Sequence, residues 1–347
     1  MITIRDVARK SGFSEATVSI VMNNGPLARL IPLKTQKKVR SVAEQLDYHP
    51  NSFARALASR RSHTVGLMVF DIADPYCSQI LQGIGNALYR SSYLPILTDI
   101  QNHRPRFKRY LEMLLERRIE GLIAIANSLF VEPDLLEAFV LRKIPTVIIG
   151  QECAHRFMHS VVIHNEAGTR AAIEHLYILG HRHIAFIKGP KQVVDSSRRW
   201  RGICEFAQQA GLELDSKLVV EISQPASSYR GGHEATRVLL HRRRHFSALM
   251  TFDDVTAFGA IHALSQSGRK VPEDCSVVGF DDVAMAAFYS PPLTTIRQPM
   301  EALGVTSVEI LTEAVRAARA KEPFVTVHQK IKPELVVRKS TSALEHA

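Results

Sequence analysis

Polar residues able to make directional hydrogen bonds gather in two kinds of place in this chain: at the starts of short helices near the N-terminus, and just past apolar runs farther on. The first 24 residues read MITIRDVARKSGFSEATVSIVMNN. Thr3 and Asp6 form a T-x-x-D capping box, after which Ile4, Val7 and Ala8 share one helical face. Gly12 breaks that helix, and Ser14 can cap a second over about residues 15–22, with Val18, Val21 and Met22 turned inward. Two short helices joined by a Gly-containing turn predict a helix-turn-helix. In that unit the second helix lies in the DNA major groove and its N-terminal side chains meet base edges.

Those residues need a frame, and the rest of the chain supplies one. With 347 residues and 46% hydrophobic content, two or three domains with ample cores are expected. The net charge of +10 is uneven: residues 1–61 hold 11 Lys and Arg against 4 Asp and Glu, and the remainder hold 33 against 30. A folded, basic N-terminal segment suits a polyanion. The four cysteines, Cys77, Cys153, Cys204 and Cys275, form no C-x-x-C pair and read as free thiols in a reducing cytoplasm. No apolar run reaches the ~18 residues of a membrane helix, and the chain starts on a capped helix, which leaves no signal peptide to expect.

A third amphipathic helix is predicted over 35–47, with Val39, Val42, Ala43 and Leu46 inward and Pro32 tolerated at its first position. Pro50 then breaks the chain. The Ala-rich stretch 51–61 is too short to be a stable helix alone and reads as a linker that orders on binding. From residue 64 the pattern changes to seven short apolar runs separated by helical stretches: 64–70, 94–98, 121–126, 145–150, 183–188, 247–252 and 276–280. Such runs predict parallel strands buried on both faces of doubly wound sheets, which bind ligands at the carboxyl ends of their strands. Asp71, Asp74, Asp99, Gln151, Asp253, Asp254, Asp281 and Asp282 all follow these runs.

The segments IRDVARKSGFSEATVS, YHPNSFARALASRRSHTVGLMV, DIADPY (71–76), ERRIEGLI (116–123), EHLYILGHRHIAFIKGP (174–190), VVGFDD (277–282), PPLTTIRQP (291–299) and PELVVRKS (333–340) occur in this order. Through them the chain resembles the lactose-repressor/galactose-repressor (LacI/GalR) family of bacterial transcription regulators over nearly its whole length. The resemblance implies an all-α helix-turn-helix headpiece (1–49), a hinge helix (50–61), a two-lobed α/β core like periplasmic sugar-binding proteins (62–340) and a tail (341–347). It implies three chain crossovers, near 161, 291 and 323. Lobe one would then hold about 62–161 and 292–322, and lobe two about 162–291 and 324–340.

The resemblance also assigns residues. Glu15 and Ala16 open the helix that reads bases, with Thr3, Ser14, Thr17 and Ser19 beside the DNA. Ile20 stands where Arg, which pairs with guanine, is common, so the operator departs from the usual one. Glu15 either accepts from cytosine or only complements the helix dipole. Tyr48, Asn51 and Arg55 are expected on the DNA backbone. Leu57 is expected to wedge into the minor groove; its Arg and Ala neighbours favour that over core packing. In the cleft between lobes, Arg199 and Asp281 are expected on the effector, joined by Asp74, Tyr76 and Asp253. Ser227 stands where an aromatic wall is common. Arg198 and Arg201 make that loop basic, which would suit a sugar acid or phosphate or simply face solvent; solvent is preferred. Trp200 is expected in the core.

The function implied is a ligand-responsive, sequence-specific DNA-binding regulator, a repressor acting as a homodimer. Its partners would be double-stranded operator DNA and a sugar, a sugar derivative or a nucleoside-like effector, with no membrane, metal or cofactor. The competing classes are an exported sugar-binding protein, which the headpiece disfavours, and a sugar-metabolising enzyme. No G-x-x-x-x-G-K-[ST], G-x-S-x-G or paired-His helical motif supports the enzyme.

Overall fold

The computed structural model describes residues 2–23, 26–49, 61–126, 144–152, 158–223 and 228–344. The chain divides into two compact units, Met1–His63 and Thr64–Ala347. The expected hinge stretch, with Asn51, Arg55 and Leu57, lies outside the described residues, as do Cys153 and Ser227.

The first unit holds α1 (Ile4–Ser11), α2 (Glu15–Met22) and α3 (Leu33–Gln45). Val7, Val18, Val21, Val39, Val42 and Ala43 close one apolar core among them, with Ile4, Met22 and Leu46 packed at its edge. Helix α3 starts two residues earlier than predicted. Pro32 sits at its cap with ψ 138°, one position before the helix, because an extended residue there frees the chain to turn. The Gln36 side chain then donates to the carbonyls of Ala28 and Ile31, 2.8 Å each, and fixes the long connection that precedes it.

The second unit contains two six-stranded sheets. In chain order its elements are β1 (Thr64–Val69), α4 (Pro75–Arg90), β2 (Leu94–Asp99), α5 (Arg104–Glu116), β3 (Gly121–Ile125), β4 (Thr146–Ile149) and β5 (His159–Ile163). There follow α6 (Asn165–Ile178), β6 (Ile184–Lys188), α7 (Val194–Ala210), β7 (Val219–Glu221), α8 (Tyr229–His241), β8 (Ala248–Thr251) and α9 (Asp254–Gln266). The last are β9 (Ser276–Asp281), β10 (Thr294–Arg297), α10 (Met300–Ala320), β11 (His328–Ile331) and β12 (Glu334–Val336). Sheet one runs β11-β5-β4-β3-β1-β2, all parallel. Sheet two runs β12-β10-β9-β8-β6-β7, parallel except for the antiparallel edge strand β12. All seven apolar runs are strands, and β1, β3, β4, β8 and β9 are buried along their whole length.

The three crossovers between lobes fall later than the sequence placed them. Strand β5 belongs to sheet one, so the first crossing is at His164 and not near 161. Strand β10 pairs with β9 in sheet two while α10 packs on sheet one, which moves the second from 291 to Gln298–Pro299. Strand β11 pairs with β5, so the third lies at Lys332–Pro333 and not near 323. The polar, mostly exposed run HQKI and the threonines of TTIR lack the continuous apolar signal that located seven of the other strands. Lobe one is therefore about 64–163 with 299–331, and lobe two about 165–298 with 334–340.

Each lobe contains a helix pair in glycine-mediated contact. A Cβ on Gly83 of α4 would collide with the Glu301 carbonyl of α10, and a Cβ on Gly259 of α9 would collide with the Tyr229 carbonyl of α8. Among the described residues no helix is long and apolar enough to cross a membrane.

Two stability predictions follow from this packing. G259A should cost the core about 2 kcal/mol or more, because neither backbone can yield without separating α8 from α9; urea unfolding with an unchanged midpoint would refute the close approach. His159 is buried with an Nε2 that has no partner among the described residues, and burial together with neighbouring His328 pulls its pKa down to about 4. Burial likewise lowers His175 and His181. The unfolded chain then binds protons more readily than the folded one. Core stability should be full above pH 6.5 and fall as pH drops toward 4, by up to ~1.4 kcal/mol per pH unit for His159. H159Q should remove that share of the slope; an unchanged slope would show that His159 does not carry it.

Candidate functional site

The headpiece presents one helix face. Asp6 accepts from the Thr3 backbone N–H at 2.9 Å and the Thr3 hydroxyl at 2.7 Å, completing the predicted box at the start of α1. These bonds hold the Asp6 carboxyl below its ordinary range. Gly12 takes φ 76°, a left-handed turn open to glycine without a Cβ penalty. Ser14 Oγ then accepts from the Thr17 N–H at 3.2 Å and caps α2. With Val18 and Val21 buried, Glu15 and Ala16 are left exposed, and Thr17, Ser19 and Ile20 half-exposed. Of these, Ser19 accepts from Asn23 and Thr17 bonds Ser14 through its hydroxyl. Glu15 lies 3.4 Å from Arg5 of α1 in a solvent-exposed pair. Tyr48 is half-buried against the headpiece core. Lys34, Lys37, Lys38 and Arg40 make α3 strongly basic.

The core brings a second set together at the carboxyl ends of its strands. Arg199, on the buried face of α7, is the centre. Its guanidinium stacks 3.7 Å from the Phe280 ring centroid and 4.6 Å from that of Phe252. It donates through Nε to Asn165 Oδ1 at 2.9 Å and through Nη1 to the Phe252 carbonyl, and it pairs with Asp281 at 3.5 Å. Asp281 sits at φ 121°, a conformation rare for a residue with a side chain, and Gln298 clamps it by donating to both its carbonyl and its Oδ1. Burial raises the Asp281 pKa well above the ordinary carboxylate range, against the pull of Arg199.

Asp253 caps α9, accepting from the Thr256 N–H at 2.7 Å. Asp74 caps α4 in the same way, accepting from the Tyr76 N–H at 2.9 Å. Tyr76 stacks on Phe70 with centroids 6.5 Å apart. Burial, then Asp195 and Asp281, push the Tyr76 hydroxyl pKa well up. A lobe-one phenol thus feels two lobe-two carboxyls, which brings Tyr76, Arg199 and Asp281 into one electrostatic neighbourhood.

Other polar strand ends are used inside a lobe. Asp254 accepts from Thr295 and from the Val283 N–H, and burial lifts its pKa to about 8. Asp282 pairs with Arg297 and Arg338. Asp71 and Asp99 accept from the backbone of the loop at 72–73.

Besides Gln298, three features escaped the sequence. Asp195 lies one helical turn before Arg199, a spacing that could have flagged it. Asn165 joins the two, donating to Asp195 Oδ1 at 2.8 Å while accepting from Arg199. Arg198 does not face solvent: it is largely buried and pairs with Glu152 of the opposite lobe at 3.0 Å. Arg201, which does reach solvent, bonds Glu166. Lys330 of β11 approaches both Glu152 and Glu166, at 3.7 and 3.9 Å. Trp200 packs edge-on against Phe186 in the lobe-two core, and His181 is spent on Ser247 and Ser276.

The two parts match different family models. Residues 3–51 match the bacterial regulatory proteins of the lacI family, and residues 173–341 match a periplasmic binding protein-like domain. The HTH-type transcriptional repressor PurR of Haemophilus influenzae (strain PittEE) is 33% identical over 347 residues, covering 99% of this chain and 100% of its own. That of Aliivibrio fischeri (strain ATCC 700601 / ES114) is 32% identical over 343 residues, covering 99% of each. Among solved structures, a lac repressor dimer bound to operator and the anti-inducer ONPF matches 99% of each chain with a TM-score of 0.86 and 29% identity. A transcriptional regulator CelR–cellobiose complex matches 98% of this chain and 100% of its own, with a TM-score of 0.72 and 28% identity. With relatives above 30% identity that span it end to end, the chain belongs to the lacI family of bacterial regulatory proteins, DNA-binding transcription regulators rather than enzymes.

Proposed function

We propose that this protein is a ligand-responsive repressor that works in the cytoplasm as a homodimer on a near-palindromic operator. A small sugar, sugar derivative or nucleoside-like effector sits between the lobes of its core. The observation that carries the reading is the end-to-end likeness to a lac repressor dimer bound to operator. Two headpieces on one dimer axis would take the two halves of the site. Glu15, Ala16 and Ile20 lie on the outward side of α2 and would meet base edges, while Thr3, Ser14, Thr17, Ser19 and Tyr48 would meet phosphates, with Asn51, Arg55 and Leu57 following on the linker. In the core, Arg199, Asp281, Asp253, Asp74 and Tyr76 would contact the effector, whose binding biases the relation of the lobes. That bias is a coupling free energy between two sites, and the ion pairs from Glu152 to Arg198 and from Lys330 to Glu166 span the same division.

The test is retention of genomic DNA fragments by the purified protein, followed by sequencing. Recovery of a near-palindromic motif is expected. Retention without sequence preference, with or without deproteinised bacterial extract and falling steeply with salt, would overturn the reading. For the cleft, R199K keeps the charge but loses the planar fork that reaches Asn165 and the Phe252 carbonyl. It should weaken the response of operator binding to extract at least tenfold and change operator affinity in its absence by less than threefold, about 0.7 kcal/mol. An unaltered response would remove Arg199 from the effector site.

A further inference from the structure

The cleft-facing end of lobe two carries more carboxylate than its cations balance. Asp195, Asp253 and Asp281 are all buried or nearly so, and Arg199 serves Asp281 while Arg198 is drawn away to Glu152. Asp253 is 1% exposed. Its Oδ1 is used in capping α9, but its Oδ2 has no hydrogen-bond partner among the described residues. Ser196 Oγ on α7 and, from lobe one, Gln151 Oε1 are also buried without partners among the described residues. A buried carboxylate oxygen without a donor is costly, so such an atom in a binding cleft marks a place where a ligand donates.

We propose that the effector is a polyol of hexose size bearing a protonated amine, and that Asp253 Oδ2 accepts its ammonium. This rests on the reading of the cleft as the effector site. A sugar acid or phosphate would find one buried donor without a partner among the described residues, Arg198 Nη1, but would enter against three carboxyls, of which only Asp281 is paired with Arg199. A neutral sugar would satisfy the acceptors with hydroxyl donors but would leave the charge excess in place. An ammonium makes a charge-assisted bond, about twice the strength of a neutral one, and removes part of that excess. Burial raises the carboxyls of Asp195 and Asp281, and Asp253 and Asp74 add to that rise at Asp281. A bound cation lowers both again, so binding should release protons and tighten as pH rises.

The experiment is titration calorimetry of the full-length protein with three matched series: glucose, glucosamine and glucuronate; galactose, galactosamine and galacturonate; mannose, mannosamine and mannuronate. The expected result is that in at least one series the amine binds at least tenfold tighter than its neutral and acidic counterparts. Its binding should also release protons, read as a heat that varies with buffer ionisation enthalpy. D253N, and D253S as a second variant that keeps a capping oxygen, should narrow the preference for the amine at least tenfold. The proposal is overturned if no amine binds, if a neutral or acidic member binds as tightly, or if the preference survives both variants. Binding of a neutral or acidic sugar that R199K abolishes would leave the cleft as the effector site and remove only the amine.

Discussion

The core is organised around one buried guanidinium. Arg199 lies between the rings of Phe252 and Phe280, which follow or end adjacent strands of sheet two, and its hydrogen bonds reach Asn165 at the start of α6. Burying a charge is tolerable only where it is paired and fully bonded. That requirement fixes several elements at once: α7 must present Arg199 inward, β9 must end with Asp281 in its unusual conformation, and Gln298 must be close enough to hold it. Since Asn165 and Gln298 stand at two of the crossovers, the anchor of the cleft is also attached to the segments between the lobes.

The lobes are tied by charge as well as by chain. Glu152 and Lys330 come from lobe one, Arg198 and Glu166 from lobe two, and the pairs alternate in sign across the division. Glu152 and Lys330 are partly solvated while Arg198 and Glu166 are largely buried, and pairs with a solvated member each contribute little. Their arrangement matters more than their strength. The pairs share partners across the division, Glu152 with Arg198 and Lys330, and Lys330 with Glu166, while the stacked guanidinium holds Asn165 and Asp281 in place within lobe two.

Much of this could be read from residue order, and the exceptions have physical causes. The capped helices were legible because Thr3, Asp6, Gly12 and Ser14 act locally, within one helical turn. Six of the seven legible strands are interior to a sheet, where burial on both faces demands unbroken apolar runs; β2 is an exposed edge strand that keeps such a run. Strands β5, β7, β10, β11 and β12 were not: three lie at sheet edges, β5 opens on His159 and Ser160, and β10 is buried with threonine hydroxyls bonded inside the lobe. Missing β5, β10 and β11 displaced the first, second and third crossovers. In the cleft, motif positions picked out Arg199 and Asp281, but Asn165, Asp195 and Gln298 become partners only through contacts that span about 30 residues on one side and 17 on the other. The pairing of Arg198 with Glu152 is likewise a long-range fact, and it reversed the expectation that this arginine faces water.

The order of the segments bears on synthesis. The headpiece closes its apolar core with residues that all precede position 50. Sheet one, by contrast, lacks its edge strand until His328–Ile331 has been made, and its Gly83 surface stays bare until Met300–Ala320 arrives. At ordinary ribosomal rates of ~5–20 residues per second, the headpiece can close its core many seconds before either lobe can finish. Its three helices are the first part of the chain able to fold, and they need not wait for the sheets that follow.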